Sequence, residues 1–340
     1  MTVLAGGIGA ARFLRGLRAC ASVAEPLEVT VIGNTGDDIT LYGLRICPDL
    51  DTVMYTLGGG IDADQGWGRS DETWNALAEV RAYREALGDA TAEPGVRPVE
   101  SWFGLGDRDV GTHLVRTAML AEGATLSQVT AALCERWQPG VRLLPMSDQP
   151  VASHVDIEDT TAPSRRRHLH FQEYWVRLHA EVPAVAVTFD GIEDARPAPG
   201  VLEAISSADV VVFPPSNPVV SIGTILAVPG IADAMRETAA PVVGVSPVIA
   251  GAPVRGMADK LLPSVGVDTS AAGIALHYGA RASGGVIDGW LVDTADAESV
   301  GQLEAAGLAA LARPLWMTDV PASAAIAGDA LALAADLGQR

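Results

Sequence analysis

A glycine-rich turn close to the start of the chain constrains its fold more than any other feature. The apolar run Thr2 to Ala5 stops at Gly6-Gly7-Ile8-Gly9, and an amphipathic stretch from Ala10 to Ala21 follows. Strand, glycine turn and helix in that order open a doubly wound α/β sheet. Glycines at this point let the backbone approach a phosphate, and the helix presents free amides and the positive end of its dipole. A dinucleotide fingerprint of the form G-x-G-x-x-G needs glycine where Arg12 stands, and an acid where the second strand ends at Asn34. The turn therefore reads as a general phosphate-binding turn, or as a bare tight connection between strand and helix.

The rest of the chain carries the same pattern forward. Leu27 to Ile32 is a second strand, ending in Gly33-Asn34-Thr35-Gly36-Asp37-Asp38. Pro48 is suited to the first position of the next helix, and helical spacing recurs over Asp71 to Leu87 and Val110 to Glu122. Thr125-Leu126-Ser127-Gln128 reads as a capping box for a helix to about Trp137. Val151 to Ile157 and His168 to Leu178 read as strands of a β-rich insertion. Asp209 to Pro214 and Pro241 to Ser246 are nearly all apolar, as strands buried on both faces must be. Helices are expected near Ile231 to Glu237 and Ala271 to Tyr278, and an alanine-rich helix over Ala322 to Leu337 would cover the core or form a dimer surface. The expected architecture is α/β: a doubly wound, Rossmann-like, mostly parallel sheet with a smaller β-rich insertion. Its parts are a Rossmann-like core over 1–140 with the glycine turn and acidic metal site, the insertion over 141–190, and the rest of the core over 191–340 with the nucleotide-binding loops. A chain of 340 residues has room for that division.

Four acids fall close together. Asp37 and Asp38 lie on the loop after the second strand, at the carboxyl edge where open sheets bind ligands. Asp49 and Asp51 lie in the first turn of the following helix. Carboxylates from two loops meeting beside a phosphate-binding turn make a magnesium-type site, because Mg²⁺ takes one or two carboxylates together with substrate phosphate oxygens. Alternatively, Asp49 and Asp51 only complement the helix dipole, an effect of about 0.3–1 kcal/mol each that explains one or two acids better than four. Asp107 precedes a helix that carries His113; Asp107 caps it or binds a ligand, and His113 is a bystander or a contact. Ser216, Asn217 and Ser246 follow buried strands and either hydrogen-bond a nucleotide or make turns. Trp67, Trp74 and Trp102 are candidates to stack a flat heteroaromatic ring, or they belong to the core.

Charge and cysteine content narrow the partners. The net charge of −19 argues against a nucleic-acid or anionic-membrane partner. Lys260 is the only lysine, so no P-loop lysine exists, and the G-x-S-x-G and HExxH motifs are absent. Cys20, Cys47 and Cys134 are far apart and form no CxxC pair. The first residues lack the form of a signal peptide, and no uncharged apolar run has bilayer length, so a cytoplasmic location is expected.

Taken together, Gly6-Gly7-x-Gly9, Gly33 to Asp38, Pro48-Asp49-Leu50-Asp51-Thr52, Trp67-Gly68, Gly106-Asp107-Arg108-Asp109, Phe171-Gln172-Glu173-Tyr174-Trp175 and Pro215-Ser216-Asn217-Pro218 resemble the 2-phospho-L-lactate transferase family of coenzyme F(420) biosynthesis. The resemblance runs in consistent order from residue 1 to about residue 320, and the arginine- and alanine-rich composition points to the actinobacterial branch, similar to phosphoenolpyruvate transferases. It implies transfer of a phosphoenolpyruvyl or 2-phospho-L-lactyl group from a guanosine-diphosphate-linked donor to the ribityl hydroxyl of 7,8-didemethyl-8-hydroxy-5-deazariboflavin, with GMP leaving. A homodimer is also implied. The candidate catalytic residues are Asp37, Asp51 and Asp49, with Asp37 and Asp51 holding Mg²⁺. The candidate binding residues are Gly6, Gly7, Gly9, Thr73, Asp107, His113, Ser216, Asn217 and Ser246. Two other classes stand beside this reading. A nicotinamide-dependent oxidoreductase is opposed by Arg12 and Asn34. A non-catalytic nucleotide-sugar-binding regulator would share the glycine-rich opening but has no need to gather acids.

Overall fold

The computed structural model describes residues 1–20, 27–62, 65–87, 101–160, 162 and 164–339. Seven parallel strands form the main sheet in the order Ala309–Ala312, Gly289–Val292, Val242–Val245, Val211–Phe213, Thr2–Ala5, Thr30–Gly33, Arg142–Pro145. The chain starts in the middle, builds to one edge, then returns and builds to the other. The direction of winding reverses between Thr2–Ala5 and Val211–Phe213, and open sheets bind ligands outside the carboxyl ends of the strands at such a switch point.

Alternation along each strand feeds two cores. Leu4, Ile32, Val211 and Phe213 pack on one face, and Val3, Ala5, Val31 and Val212 on the other. Because successive side chains point to opposite faces, strands covered on both sides must be apolar throughout. The helix Ile8–Cys20 and the final helix Val320–Gly338 lie together on the second face. Val320–Gly338 is long and apolar enough to span a bilayer by length and composition alone. Its residues Ile326, Ala327, Ala330 and Leu333 are nevertheless buried in the core, so it serves as a cover.

The β-rich section departs from expectation in two places. Arg142–Pro145, expected within the insertion, is the edge strand of the main sheet, paired with Thr30–Gly33. The separate antiparallel sheet has the order Arg166–His170, Ala152–Glu158, Ala184–Asp190. The strand expected to run to Leu178 ends at His170, and Glu173–Arg177 winds as a π-helical segment. Phe171 and Tyr174 are the buried apolar residues of that stretch. That three-residue spacing suits a helix and not the two-residue period of a strand.

One short element sets up the site. Ile39–Leu41 and Leu44–Ile46 form a hairpin turned at Tyr42 and Gly43, with φ of 54° and 75°. Two successive left-handed residues match the twist of flanking strands. The hairpin returns the chain to the carboxyl edge of the sheet, so the helix Pro48–Leu57 starts beside the loop it has just left.

Candidate active site

The glycine turn is built by close approaches. A Cβ on Gly6 would lie 2.6 Å from the Ser221 Cβ, and one on Gly7 would lie 2.6 Å from Asp49 Oδ1. A Cβ on Gly9 would strike the carbonyl oxygen of Pro215. The Gly6 amide donates to Ser216 Oγ at 3.2 Å. The loops after the first and fourth strands in chain order therefore interlock across the switch point. The first amides of the helix Ile8–Cys20 have no intrahelical acceptor and face this crevice. Gly9→Ala is expected to lower thermal stability sharply, beyond the usual 1–3 kcal/mol of overpacking, roughly, because the obstacle is backbone and cannot rotate away. Differential scanning calorimetry checks this.

The acids gather on the other side of the turn. Asp37, Asp38, Asp49 and Asp51 are all buried. Asn34 stands at the centre: its Nδ2 donates to Asp49 Oδ2 at 2.9 Å and to the Val220 carbonyl oxygen at 3.0 Å, while its Oδ1 accepts from the Gly36 amide at 2.9 Å. Burial, followed by the charge of Asp49, holds the Asp37 carboxyl well above the usual carboxylate range. Burial likewise pushes Asp49 up to about 7 and Asp38 to about 6, in the latter case against the opposing pull of Arg45. Arg45 Nη2 lies 3.1 Å from Asp38 Oδ2. Asp37 Oδ1 is buried with no hydrogen-bond partner. A buried, unpartnered carboxylate oxygen beside a second carboxylate is a hard-oxygen donor set, and it fits a Mg²⁺-type cation.

Asp51 does not belong to that set. Both of its oxygens accept from the guanidinium of Arg116, Oδ2 from Nη1 at 3.0 Å and Oδ1 from Nη2. Of the expected metal pair, Asp51 is thus held by Arg116, and the carboxylate whose charge acts most on Asp37 is Asp49. His113 is buried behind Asp51, its Nδ1 3.0 Å from Arg116 Nη1 and its Nε2 3.3 Å from Asp109 Oδ2. Tyr55 donates to Asp109 Oδ1 at 2.7 Å. Burial raises the Asp109 pKa, but its bonds to His113 and Tyr55 outweigh that and leave it lowered. This chain from Tyr55 to Asp51 ties the helix Pro48–Leu57 to the helix Asp107–Ala121, with His113 packed between them.

Several other expected contacts also serve the fold. Asp107 caps the neighbouring helix Asn75–Leu87 and not its own, accepting from Thr73 Oγ1 at 2.6 Å and from the Ala76 amide at 2.9 Å. The Thr73 bond and that amide hold its pKa down at about 2. Glu72 returns the favour by accepting from the Arg108 and Asp109 amides, both at 3.0 Å. Asn217 Oδ1 accepts from Val219 and Val220, and Ser246 Oγ donates to the Val248 carbonyl oxygen at 2.7 Å. Thr73, Asp107, Asn217 and Ser246 thus use their polar atoms in caps and turns. Of the expected set, Gly6, Gly7, Gly9, Asp37, Asp49 and Ser216 come together.

The sequence reading passed over a group of cations. Burial, then the charges of Arg255 and Arg15, lower the Arg12 guanidinium below its usual value. Arg255 donates to the Gln65 carbonyl oxygen, and a Cβ on Gly66 would lie 3.3 Å from Arg255 Nη1 and 3.4 Å from Ile8 Cγ2. Like charges gathered at the mouth of a glycine turn suit an anionic ligand. Arg12 and Arg15 are three apart on one helix face, a readable signal; Arg255 is remote in sequence. Trp67 and Trp74 are each about two-fifths exposed, at 43% and 41%. They line a small cleft with Arg69, Glu72 and Asp109. A larger cavity of ≈ 450 Å³, lined by Thr2, Thr30, Arg142 and Glu203 among others, opens at the opposite, amino edge of the strands. The glycine turn and the acids mark the carboxyl edge instead.

The chain is similar to known proteins over nearly its whole length. Residues 1–312 match the family described as 2-phospho-L-lactate transferase CofD. A phosphoenolpyruvate transferase of Kitasatospora aureofaciens is 62% identical over 334 residues, spanning 98% of this chain and 97% of its own. Proteins of the same description from Thermobifida fusca and Mycolicibacterium smegmatis are 57% and 52% identical, over 100% and 98% of this chain and 99% and 98% of theirs. A crystal structure of a UPF0052 family member from Bacillus halodurans shares the fold, with a TM-score of 0.58 at 18% identity over 97% of each chain.

Proposed function

Because the chain belongs to the 2-phospho-L-lactate transferase family, we propose that it moves a phosphoenolpyruvyl group from a guanosine-diphosphate-linked donor to the ribityl hydroxyl of 7,8-didemethyl-8-hydroxy-5-deazariboflavin in coenzyme F(420) biosynthesis. Phosphoenolpyruvyl is preferred over 2-phospho-L-lactyl on the names of the relatives. The observation that carries the reading is the placement of Asp49 against Gly7 at the switch point of the sheet, with Asp37 as a neighbouring carboxylate. The acceptor oxygen attacks the phosphorus bearing the enolpyruvyl group, the bond to the bridging oxygen breaks, and GMP leaves. The hydroxyl proton passes to a carboxylate of the acid cluster.

Phosphoryl transfer asks a protein mainly for positioning and charge neutralisation. The amides after Gly6 and the cations Arg12 and Arg255 hold the donor diphosphate. Asn34 fixes Asp49 against the turn. A Mg²⁺ ion held by Asp37 and Asp49 would supply neutralising charge at the donor phosphate oxygens. Trp67 and Trp74 offer an aromatic platform for the flat deazaflavin ring. Stacking of this kind contributes about 1–3 kcal/mol per ring, so Trp67→Ala is expected to raise the acceptor KM roughly 5- to 150-fold with little change in kcat. Steady-state kinetics over acceptor concentration checks it.

The test of the whole reading is turnover with the acceptor, Mg²⁺ and each guanosine-diphosphate donor, read by mass spectrometry. Product and GMP from the enolpyruvyl donor, suppressed by a chelator, are expected. No product from either donor overturns the reading. The homodimer belongs to the same proposal and is checked by light scattering.

A further inference from the structure

A second cluster of metal-type donors lies on the three-stranded sheet. In register, His154 opposes His170, Asp156 opposes His168, and Ala152 opposes Asp190. Ser153, Val155 and Ile157 are buried beneath the sheet, so alternation puts residues 154, 156, 168, 170 and 190 on its other face. There Asp190 Oδ2 stands 3.4 Å from His154 Nδ1 and 3.4 Å from His168 Nε2. The two imidazole rings stack, 4.3 Å between centroids and 9° between planes. One donor atom from each of the three residues lies within 4.8 Å of the other two.

We propose that His154, His168 and Asp190 bind a divalent transition-metal ion of the zinc type, with Asp156 orienting His168 from behind. Ligand bonds of about 2.0–2.2 Å to a tetrahedral zinc put donor atoms about 3.4 Å apart, which is the separation of Asp190 from both histidines. The site supplies three protein donors, the number used by zinc sites that take water or substrate as the fourth. His168 Nδ1 lies 2.7 Å from Asp156 Oδ1. A carboxylate on the far nitrogen fixes the tautomer and aims Nε2 outward, as second partners of metal-bound histidines do. Imidazole donors favour zinc-like ions over Mg²⁺, so this site is chemically distinct from the oxygen-only pair of Asp37 and Asp49.

A metal-free account makes His168 a cation shared by Asp156 and Asp190, and the raised pKa of His168, caused first by its bond to Asp156, is compatible with that. Metal binding turns the two stacked rings out of parallel, because each imidazole holds an ion in its own plane. Metal binding also costs something here. His154 Nδ1 is 3.2 Å from the Ala152 carbonyl oxygen, and that contact would be given up. The cluster adjoins the acid loop through His170, whose ring meets His154 edge-on at 5.5 Å and whose Nε2 lies 3.1 Å from the Asp38 carbonyl oxygen.

The test is a cobalt(II) titration of the full chain, followed by visible absorption and by zinc competition. One ion per chain is expected to give the intense visible bands of low-coordinate, nitrogen-ligated cobalt and to be displaced by zinc, while cobalt at Asp37 and Asp49 would add only weak absorption. His168→Ala and Asp190→Asn should each weaken binding at least tenfold, and Asp156→Asn about 10- to 100-fold. Asp37→Asn with Asp49→Asn should leave the bands unchanged. Circular dichroism accompanies each variant, and if His168→Ala misfolds, the surface change Asp190→Asn decides. Absence of the bands, or equal affinity in wild type and Asp190→Asn, overturns the proposal.

Discussion

Asp49→Asn is expected to lower turnover by at least about 10²–10³-fold, the scale seen when one preorganised electrostatic contact to a transition state is removed, while the protein keeps or gains thermal stability. The two effects separate because burial, then the charge of Asp38, raises the proton affinity of Asp49, and the charge of Asp49 in turn raises that of Asp37. Neutralising one of them relieves repulsion in the folded state. The pH dependence of the metal-free protein follows the same sign. A carboxyl whose folded pKa lies above its unfolded value binds its proton more tightly when folded, so stability is fully present below the unfolded value of about 3.9. That stability is lost as pH rises through about 6 for Asp38 and about 7 for Asp49. The melting temperature without divalent ions should therefore fall between about pH 4 and pH 7, less steeply in Asp49→Asn. Adding Mg²⁺ should recover the loss in wild type. Turnover near wild type in Asp49→Asn would remove this residue from the site.

Asp51→Asn and Arg116→Leu are expected to behave in the opposite way, each costing about 3–5 kcal/mol of stability, because each leaves a buried charge without its partner. Asp51 and Arg116 are both almost fully enclosed, with side chains 7% and 2% exposed. The double variant Asp51→Leu/Arg116→Leu should be more stable than the sum of the two single losses, since no charge is then left unpaired. Urea unfolding of the three variants measures this. If Asp51→Asn left stability unchanged but abolished turnover, the pair would be better described as a metal ligand with its orienting arginine.

The difference between Asp49 and Asp51 shows where sequence reasoning ends. The glycine turn, the apolar strands and the carboxyl-edge position of both aspartate pairs follow from local rules, and these sufficed for a doubly wound sheet with an acid site at its switch point. Two residues apart on a helix, however, means opposite faces. Spacing says that Asp49 and Asp51 point apart; it does not say which meets the glycine turn and which meets Arg116. That depends on how the helices Pro48–Leu57 and Asp107–Ala121 pack. Asp107 is similar: a cap was readable from its residue type, but the helix it caps is Asn75–Leu87, brought alongside by the fold. Arg142–Pro145 joined the main sheet because its partner, Thr30–Gly33, lies more than a hundred residues earlier.

The sequence by itself determined the strand–turn–helix opening, the two-faced burial of the sheet and the chemical types gathered at its carboxyl edge. These depend on residue identity and near neighbours, through glycine's missing Cβ and the periods of strand and helix. Only the tertiary structure decided which acids share a site, which arginine is spent on an ion pair and which arginines gather at the turn. Such pairings join residues remote along the chain, and their energies depend on burial and direction, which spacing does not encode.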